Sequence, residues 1–337
     1  MLETFHHLRL EAVACALPEQ TRRVADFADA FGANTTARFQ KVVGIEAFPV
    51  APEALHTADL AEAAARALMA SGKFRAEAID LILFVSQTPE AVAPATSALL
   101  QARLGLPERV FALDINQGCA GFLAGLLTAA QFVHPGGARK ALILGGDTLS
   151  RHVNPADPTA AMLFGDAGFA AVIGLTSEQL QAPPWFIASA TAGGKAIEIP
   201  FGSPFRMAGM DVFNFTVTRV PEQIQDVLRA AGRKPAQIDL LLLHQANAFI
   251  VRQIARLCGF SEEQTPCRMM QRGNTSSASL PLLLCDLTAE GLTGRKQVLL
   301  SAFGVGMTWL SALLDIDFAA CLPPIFLPSP NGKTSTL

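Results

Sequence analysis

The chain has 337 residues, half of them hydrophobic and 16 % charged, with a formal net charge of −3. That length can bury one large core or two ordinary ones, and the charge balance offers no general attraction for nucleic acid or an acidic membrane. The start, Met1-Leu-Glu-Thr-Phe-His-His, has neither the basic nor the apolar region of a signal peptide, no apolar span long enough to cross a bilayer follows, and the six cysteines show no C-x-x-C spacing. The expectation is therefore a cytoplasmic protein with reduced thiols, no metal site, and no nucleic-acid or membrane partner.

Residues 10–17 read as a first strand, and residues 24–39 as helix and loop. Residues 57–71 form an Ala- and Leu-rich amphipathic helix with Thr57 as its cap and Gly72 as its stop. The apolar run 79–85 reads as a strand buried on both faces. There follow a helix over 96–104, a strand over 110–113, a helix over 120–133, and strands over 141–144 and 167–175. The second half replays the order. Ile79-Asp-Leu-Ile-Leu-Phe84 resembles Ile238-Asp-Leu-Leu-Leu-Leu243, and the strand 141–144 before Gly145-Gly146 has its counterpart in 298–301 before Gly304-Val-Gly306. Matches in the same order at a near-constant offset indicate two copies of one β/α unit, with parallel strands and covering helices. The expected division is 1–175 for the first half, 185–318 for the second, a junction at 176–184, and a proline-rich tail over 319–337 that is an extended arm or a disordered end.

The stretch around which this order is arranged is Asp114-Ile-Asn-Gln-Gly-Cys-Ala-Gly-Phe-Leu-Ala. Cys119 stands where an apolar helix begins, facing unsatisfied N–H groups and the positive end of the helix dipole. Such a seat lowers a thiol pKa and favours the nucleophilic thiolate, and Gly118 and Gly121 would let a substrate approach the sulfur. A structural core cysteine is the alternative. His244 follows the strand 240–243, at a carboxyl end of the kind where α/β folds put their sites. Asn274 lies in Arg272-Gly-Asn-Thr-Ser-Ser-Ala-Ser-Leu, a polar turn that corresponds in the repeat to the cysteine turn. A satisfied core histidine and a local turn-forming asparagine are the bland readings of these two. If the halves are related by a pseudo-twofold, the three side chains can converge on one pocket.

At these residues the sequence resembles the thiolase superfamily and, within it, the beta-ketoacyl-ACP synthase III family. The marks are the Cys119 helix start, Arg151 with Leu163-Phe-Gly-Asp-Ala-Gly168, His244-Gln-Ala-Asn247, Gly273-Asn-Thr-Ser276, and Ala302-Phe-Gly-Val-Gly-Met-Thr-Trp309. The resemblance implies a duplicated α/β fold layered αβαβα. It also implies a homodimer and a Cys119–His244–Asn274 site without metal or bound cofactor. In the implied reaction, acyl-Cys119 condenses with the enolate of a decarboxylating malonyl thioester, giving a 3-oxoacyl thioester for fatty-acid or related biosynthesis. Backbone N–H groups of Cys119 and Val305 would form an oxyanion hole, with Arg151, Asn247 and Phe303 as further substrate contacts. Coenzyme A or acyl carrier protein would deliver the acyl and malonyl groups.

Several positions depart from the family pattern. Arg38 and Val42 stand where a Trp and an Arg commonly hold coenzyme A, and Asn214 and Phe249 replace two basic carrier-docking positions, although Arg252 and Arg256 share the helix of Phe249. An aromatic that closes the acyl pocket is absent from Ala91-Val-Ala-Pro94, which predicts a longer or branched acyl chain. The alternatives are a non-decarboxylating acyltransferase of the same fold, which gives no reason to keep Asn274, and a non-catalytic partner subunit of a synthase, which gives no reason to keep all three residues.

Overall fold

The computed structural model describes residues 1–6, 8–177, 180, 183–191, 196–200 and 202–329. The two main sheets are built from β1 (Leu2–Thr4), β2 (Leu8–Pro18), β3 (Leu81–Val85), β4 (Phe111–Ile115), β5 (Lys140–Asp147), β6 (Ala167–Leu175), β7 (Trp185–Ala190), β8 (Leu240–Leu243), β9 (Arg295–Gly304), β10 (Thr308–Asp317) and β11 (Ile325–Leu327). The longer helices are α1 (Ala33–Val43), α2 (Thr57–Ala70), α3 (Thr96–Arg103), α4 (Gly121–Phe132), α5 (Gly209–Ala230), α6 (Ala248–Cys258) and α7 (Ser279–Ala289). The first sheet runs β11-β2-β6-β5-β3-β4 and the second β1-β7-β10-β9-β8.

The repeat inferred from sequence is a repeat of topology. In the first sheet β3 pairs parallel with β5, β5 antiparallel with β6, and β6 antiparallel with β2. In the second, β8 pairs parallel with β9, β9 antiparallel with β10, and β10 antiparallel with β7. Leu81 opposes Ala141, and Leu240 opposes Val298, so the matched sequence segments hold matched registers.

Side-chain alternation then fixes the layers. Leu81, Leu83 and Val85 of the first sheet and Leu242, Val298 and Leu300 of the second face inward, into one apolar cluster that also holds Phe122 and Leu126 of α4 and Leu280 and Leu284 of α7. Ile82 and Phe84 face outward onto Leu60, Ala64 and Leu68 of α2. Leu241, Leu243 and Leu299 face outward onto Ile224 and Val227 of α5 and Ile254 of α6. Helix, sheet, helix, sheet and helix is the expected αβαβα order, with α4 and α7 as the buried middle layer.

Local chemistry departs from the sequence expectation in places. His56, not Thr57, precedes α2, and its backbone N–H donates to Asp59 (2.8 Å). The Thr57 hydroxyl instead points inward to Thr88 at 3.0 Å and Thr148 at 3.2 Å. The segment 24–39, expected as helix and loop, is a short 3-10 turn, then Ala28–Phe31, then α1 after Gly32. Strands β7 and β10 have no counterpart among the segments picked out from sequence. The tail turns at Phe318–Ala320 and runs on as β11, parallel to Ala16–Pro18 on the edge of the first sheet. Residues 330–337 of the tail, His7, and residues 178–179 and 181–182 of the junction lie outside the described residues. No helix among the described residues is long and apolar enough to cross a membrane.

Candidate active site

The carboxyl ends of β8 and β9 and the N-terminal approaches to α4 and α7 meet at one cavity. Its wall includes Cys119, His244, Asn274, Asn247, Phe303 and Gly304, and apolar side chains such as Phe164, Phe205, Met207, Phe213 and Ile250 fill the rest. Cys119, His244 and Asn274 thus come from the two halves of the repeat to one volume.

Cys119 sits immediately before α4, which is drawn tightly against its neighbours. A Cβ on Gly121 would lie 2.8 Å from Val85 Cγ1 and 3.1 Å from Ser277 Cβ, so this glycine serves helix packing rather than substrate approach. The Cys119 sulfur lies 3.6 Å from the Ser276 hydroxyl. That hydroxyl accepts from Gln87 Nε2 (3.1 Å). Beneath them Asp147 is fully buried. It accepts from Gln87 N (2.9 Å), Ser86 Oγ (3.2 Å) and Ser277 Oγ (2.8 Å), and burial holds its carboxyl above the usual range despite those bonds. Burial also pushes the Cys119 thiol up to about 12, with Ser276 opposing the rise and Asp147 adding to it. This runs against the expectation of a lowered pKa: the apolar wall desolvates the half-buried thiolate, a penalty opposed in sign to the helix-end effect.

The second half presents donors. His244 is 1 % exposed, its Nδ1 lies 2.6 Å from Ser279 Oγ, and its backbone N–H donates to Ser301 O (2.8 Å). Burial lowers its pKa to about 3, so the imidazole is neutral. Phe303 meets it edge to face, with ring centroids 5.3 Å apart. Asn274 accepts from Ser276 N through Oδ1 (2.9 Å), which leaves its amide N–H2 as the free donor. Its backbone is clamped on both sides, Asn274 N donating to Leu163 O (2.9 Å) and Gly165 N to Asn274 O (3.1 Å). The Leu163-Phe-Gly-Asp motif therefore acts as a brace for Asn274. Asp166 of that motif is fully buried and accepts from Ala51 N (2.8 Å), Ser150 N (3.0 Å) and Ser150 Oγ (2.6 Å), and burial raises it to about 6.

Of the other sequence-derived residues, Gly304 closes on the nucleophile: a Cβ there would lie 2.8 Å from Cys119 Cβ and 3.1 Å from Cys119 N. Val305 follows it, half-buried. Asn247 borders the cavity while its Oδ1 caps α6 by accepting from Ile250 N (2.7 Å). Arg151 lies elsewhere, its guanidinium donating to the carbonyls of Ala51, Pro52 and Leu55. Residues 91–94 are exposed and do not line the cavity. Arg38, Val42 and Asn214 are exposed, and Phe249 stacks on Phe213 at the cavity (5.6 Å, 23°). Sequence reasoning gave no role to Ser276, Ser279, Gln87 or Asp147. The polar run after Asn274 was the available signal for the two serines.

Comparison with known proteins bears on the family and the fold. Residues 113–188 match the family 3-oxoacyl-[acyl-carrier-protein (ACP)] synthase III, and residues 228–316 match its C-terminal counterpart. Beta-ketoacyl-[acyl-carrier-protein] synthase III of Streptococcus pneumoniae (strain Hungary19A-6) is 36 % identical over 280 residues, covering 77 % of this chain and 85 % of the relative. The crystal structure of a 3-oxoacyl-(acyl-carrier protein) synthase from Burkholderia xenovorans LB400 superposes with a TM-score of 0.92 at 30 % identity, over 97 % of this chain and 99 % of that one. The priming beta-ketosynthase of the R1128 polyketide biosynthetic pathway gives a TM-score of 0.82 at 25 % identity, over 95 % and 97 %. With its fold, its three converging side chains and these relatives in view, the chain belongs to the beta-ketoacyl-[acyl-carrier-protein] synthase III family.

Proposed function

We propose that this condensing enzyme performs the family's decarboxylative condensation with Cys119 as nucleophile and His244 and Asn274 as donors to the developing enolate. The convergence of those three side chains on one largely apolar cavity carries the reading. In the first stage Cys119 Sγ bonds to the acyl carbon, the donor thioester C–S bond breaks, and the thiol proton ends on the departing thiol. The N–H groups of Cys119 and Val305 face the oxyanion, a placement supported by the contact of Gly304 with Cys119. In the second stage the malonyl C–CO₂ bond breaks and its electron pair forms an enolate. His244 and the Asn274 amide donate to its oxygen while the carbon attacks acyl-Cys119, and Cys119 leaves as thiolate and regains a proton from water. Neither stage draws on a metal or redox group.

Acyl carrier protein is the proposed partner, with Arg38, Lys41, Arg252 and Arg256 exposed on the neighbouring helices α1 and α6 to meet an acidic surface. A homodimer belongs to the same reading: Phe111 and Phe132 pack on each other at the open β4 edge, 54 % and 40 % exposed, a face that a second copy would cover. The exposed loop 91–94 would then meet the partner's site, and its small side chains favour an acyl group longer than acetyl.

Mass spectrometry after incubation with a panel of acyl thioesters tests the proposal. The expected result is acyl mass on Cys119, followed by 3-oxoacyl product only when a malonyl thioester is added. Product without loss of CO₂, or transfer to an alcohol or amine, would favour the non-decarboxylating alternative, and strict acetyl preference would remove the chain-length proposal.

A further inference from the structure

We propose that Ser279 is a positioning residue that fixes the tautomer of His244, holding the proton on Nε2 where it faces the cavity. The inference rests on the reading of His244 as an enolate donor and adds to it. The two groups are almost wholly enclosed, Ser279 at 2 % exposure and His244 at 1 %, and Oγ and Nδ1 are 2.6 Å apart. A neutral imidazole has one N–H, and its position follows from the bond the other nitrogen makes. Were Nδ1 the protonated nitrogen, it would donate to Ser279, and the serine proton would need a second acceptor. Among the described residues the Ser279 side chain makes no other hydrogen bond. With the hydroxyl donating to Nδ1, both groups are satisfied in place of one buried O–H left over. Nε2 then carries the proton and can only donate.

The arrangement also divides the chemistry. Donation from Nε2 matters when the malonyl group becomes an enolate, whereas acyl transfer to Cys119 proceeds against the backbone N–H groups. Loss of Ser279 should therefore separate the two stages.

The experiment uses the full-length protein. In Ser279→Ala, acylation of Cys119 should keep its rate while condensation with malonyl thioester falls ~10- to 100-fold in kcat with little change in KM, and Ser279→Thr, which keeps the hydroxyl, should restore most of it. Nitrogen-15 spectra of histidine-labelled wild-type protein, with the His244 signals assigned by their loss in His244→Ala, should show a neutral ring protonated on Nε2. That measurement stands even if the alanine variant does not fold. A wild-type ring protonated on Nδ1, a Ser279→Ala enzyme that condenses normally, or equal losses in both stages would overturn the proposal. If His244→Ala itself still condensed malonyl thioester at the wild-type rate, the donor role of His244 would fall, and with it the wider reading of the site.

Discussion

The tips of α4 and α7 occupy matched places in a duplicated fold, yet they have taken opposite chemical characters. The α4 tip presents one half-buried sulfur, set over the buried Asp147 and beside Gln87 and Ser276. The α7 tip is a polar run that presents an amide from Asn274 and, through Ser279, an oriented imidazole from the neighbouring strand end. Duplication supplies two helix ends aimed at a common volume; under the proposed mechanism one bonds covalently while the other stabilises charge.

That division can be tested directly. Cys119→Ala should abolish the acyl-enzyme mass and cut condensation by ~10³ or more. Asn274→Ala should leave the acyl-enzyme mass in place and cut condensation by ~10²–10³, the loss of one preorganised donor. If both variants lost acylation alike, the two tips would be one unit. Gly304→Ala brings a methyl to 2.8 Å from Cys119 Cβ, and displacing the sulfur by a fraction of this should cost about 10² in acylation rate, read by stopped-flow thiol release.

The proton on the α4 sulfur gives a pH test. Because the thiol is pushed up to about 12, iodoacetamide labelling of Cys119 should rise about tenfold per pH unit through pH 9 without a plateau. A plateau near neutrality would restore the thiolate that the helix-end argument predicts. The smallest effect concerns the Asn274 brace. Asp166 has a folded pKa of about 6 against an ordinary 3.8, so the folded state holds the extra proton and stability is lost as pH rises through this window, by about 3 kcal/mol at most. Asp166→Asn cannot ionise, and thermal unfolding at pH 4 and pH 7 should show a shallower decline in the variant than in the wild type.

Much of this was legible in the residues. The strands 81–85 and 240–243 announced themselves as short apolar runs because they are buried on both faces, and their similarity exposed the repeat. Cys119 was singled out because it opens an apolar helical run, His244 because it follows the strand 240–243, and Asn274 because its polar turn corresponds in the repeat to the cysteine turn. Strands β7 and β10 were missed although they lie inside their sheet, since their Ser, Thr and Asp positions at 189, 308, 311 and 315 break the apolar pattern. The surroundings of the thiol were out of reach for a related reason: a helix start can be read locally, but the apolar wall beside the sulfur is assembled from both halves of the chain. Ser279 was invisible as a partner of His244 because the bond spans 35 positions.

The single inner cluster shared by both sheets bears on how the molecule can be taken apart. Either half produced alone would leave one sheet face and one middle helix without their apolar cover, a surface prone to aggregation. Separately expressed halves should therefore regain solubility only when made together, and the intact chain should melt in one calorimetric transition.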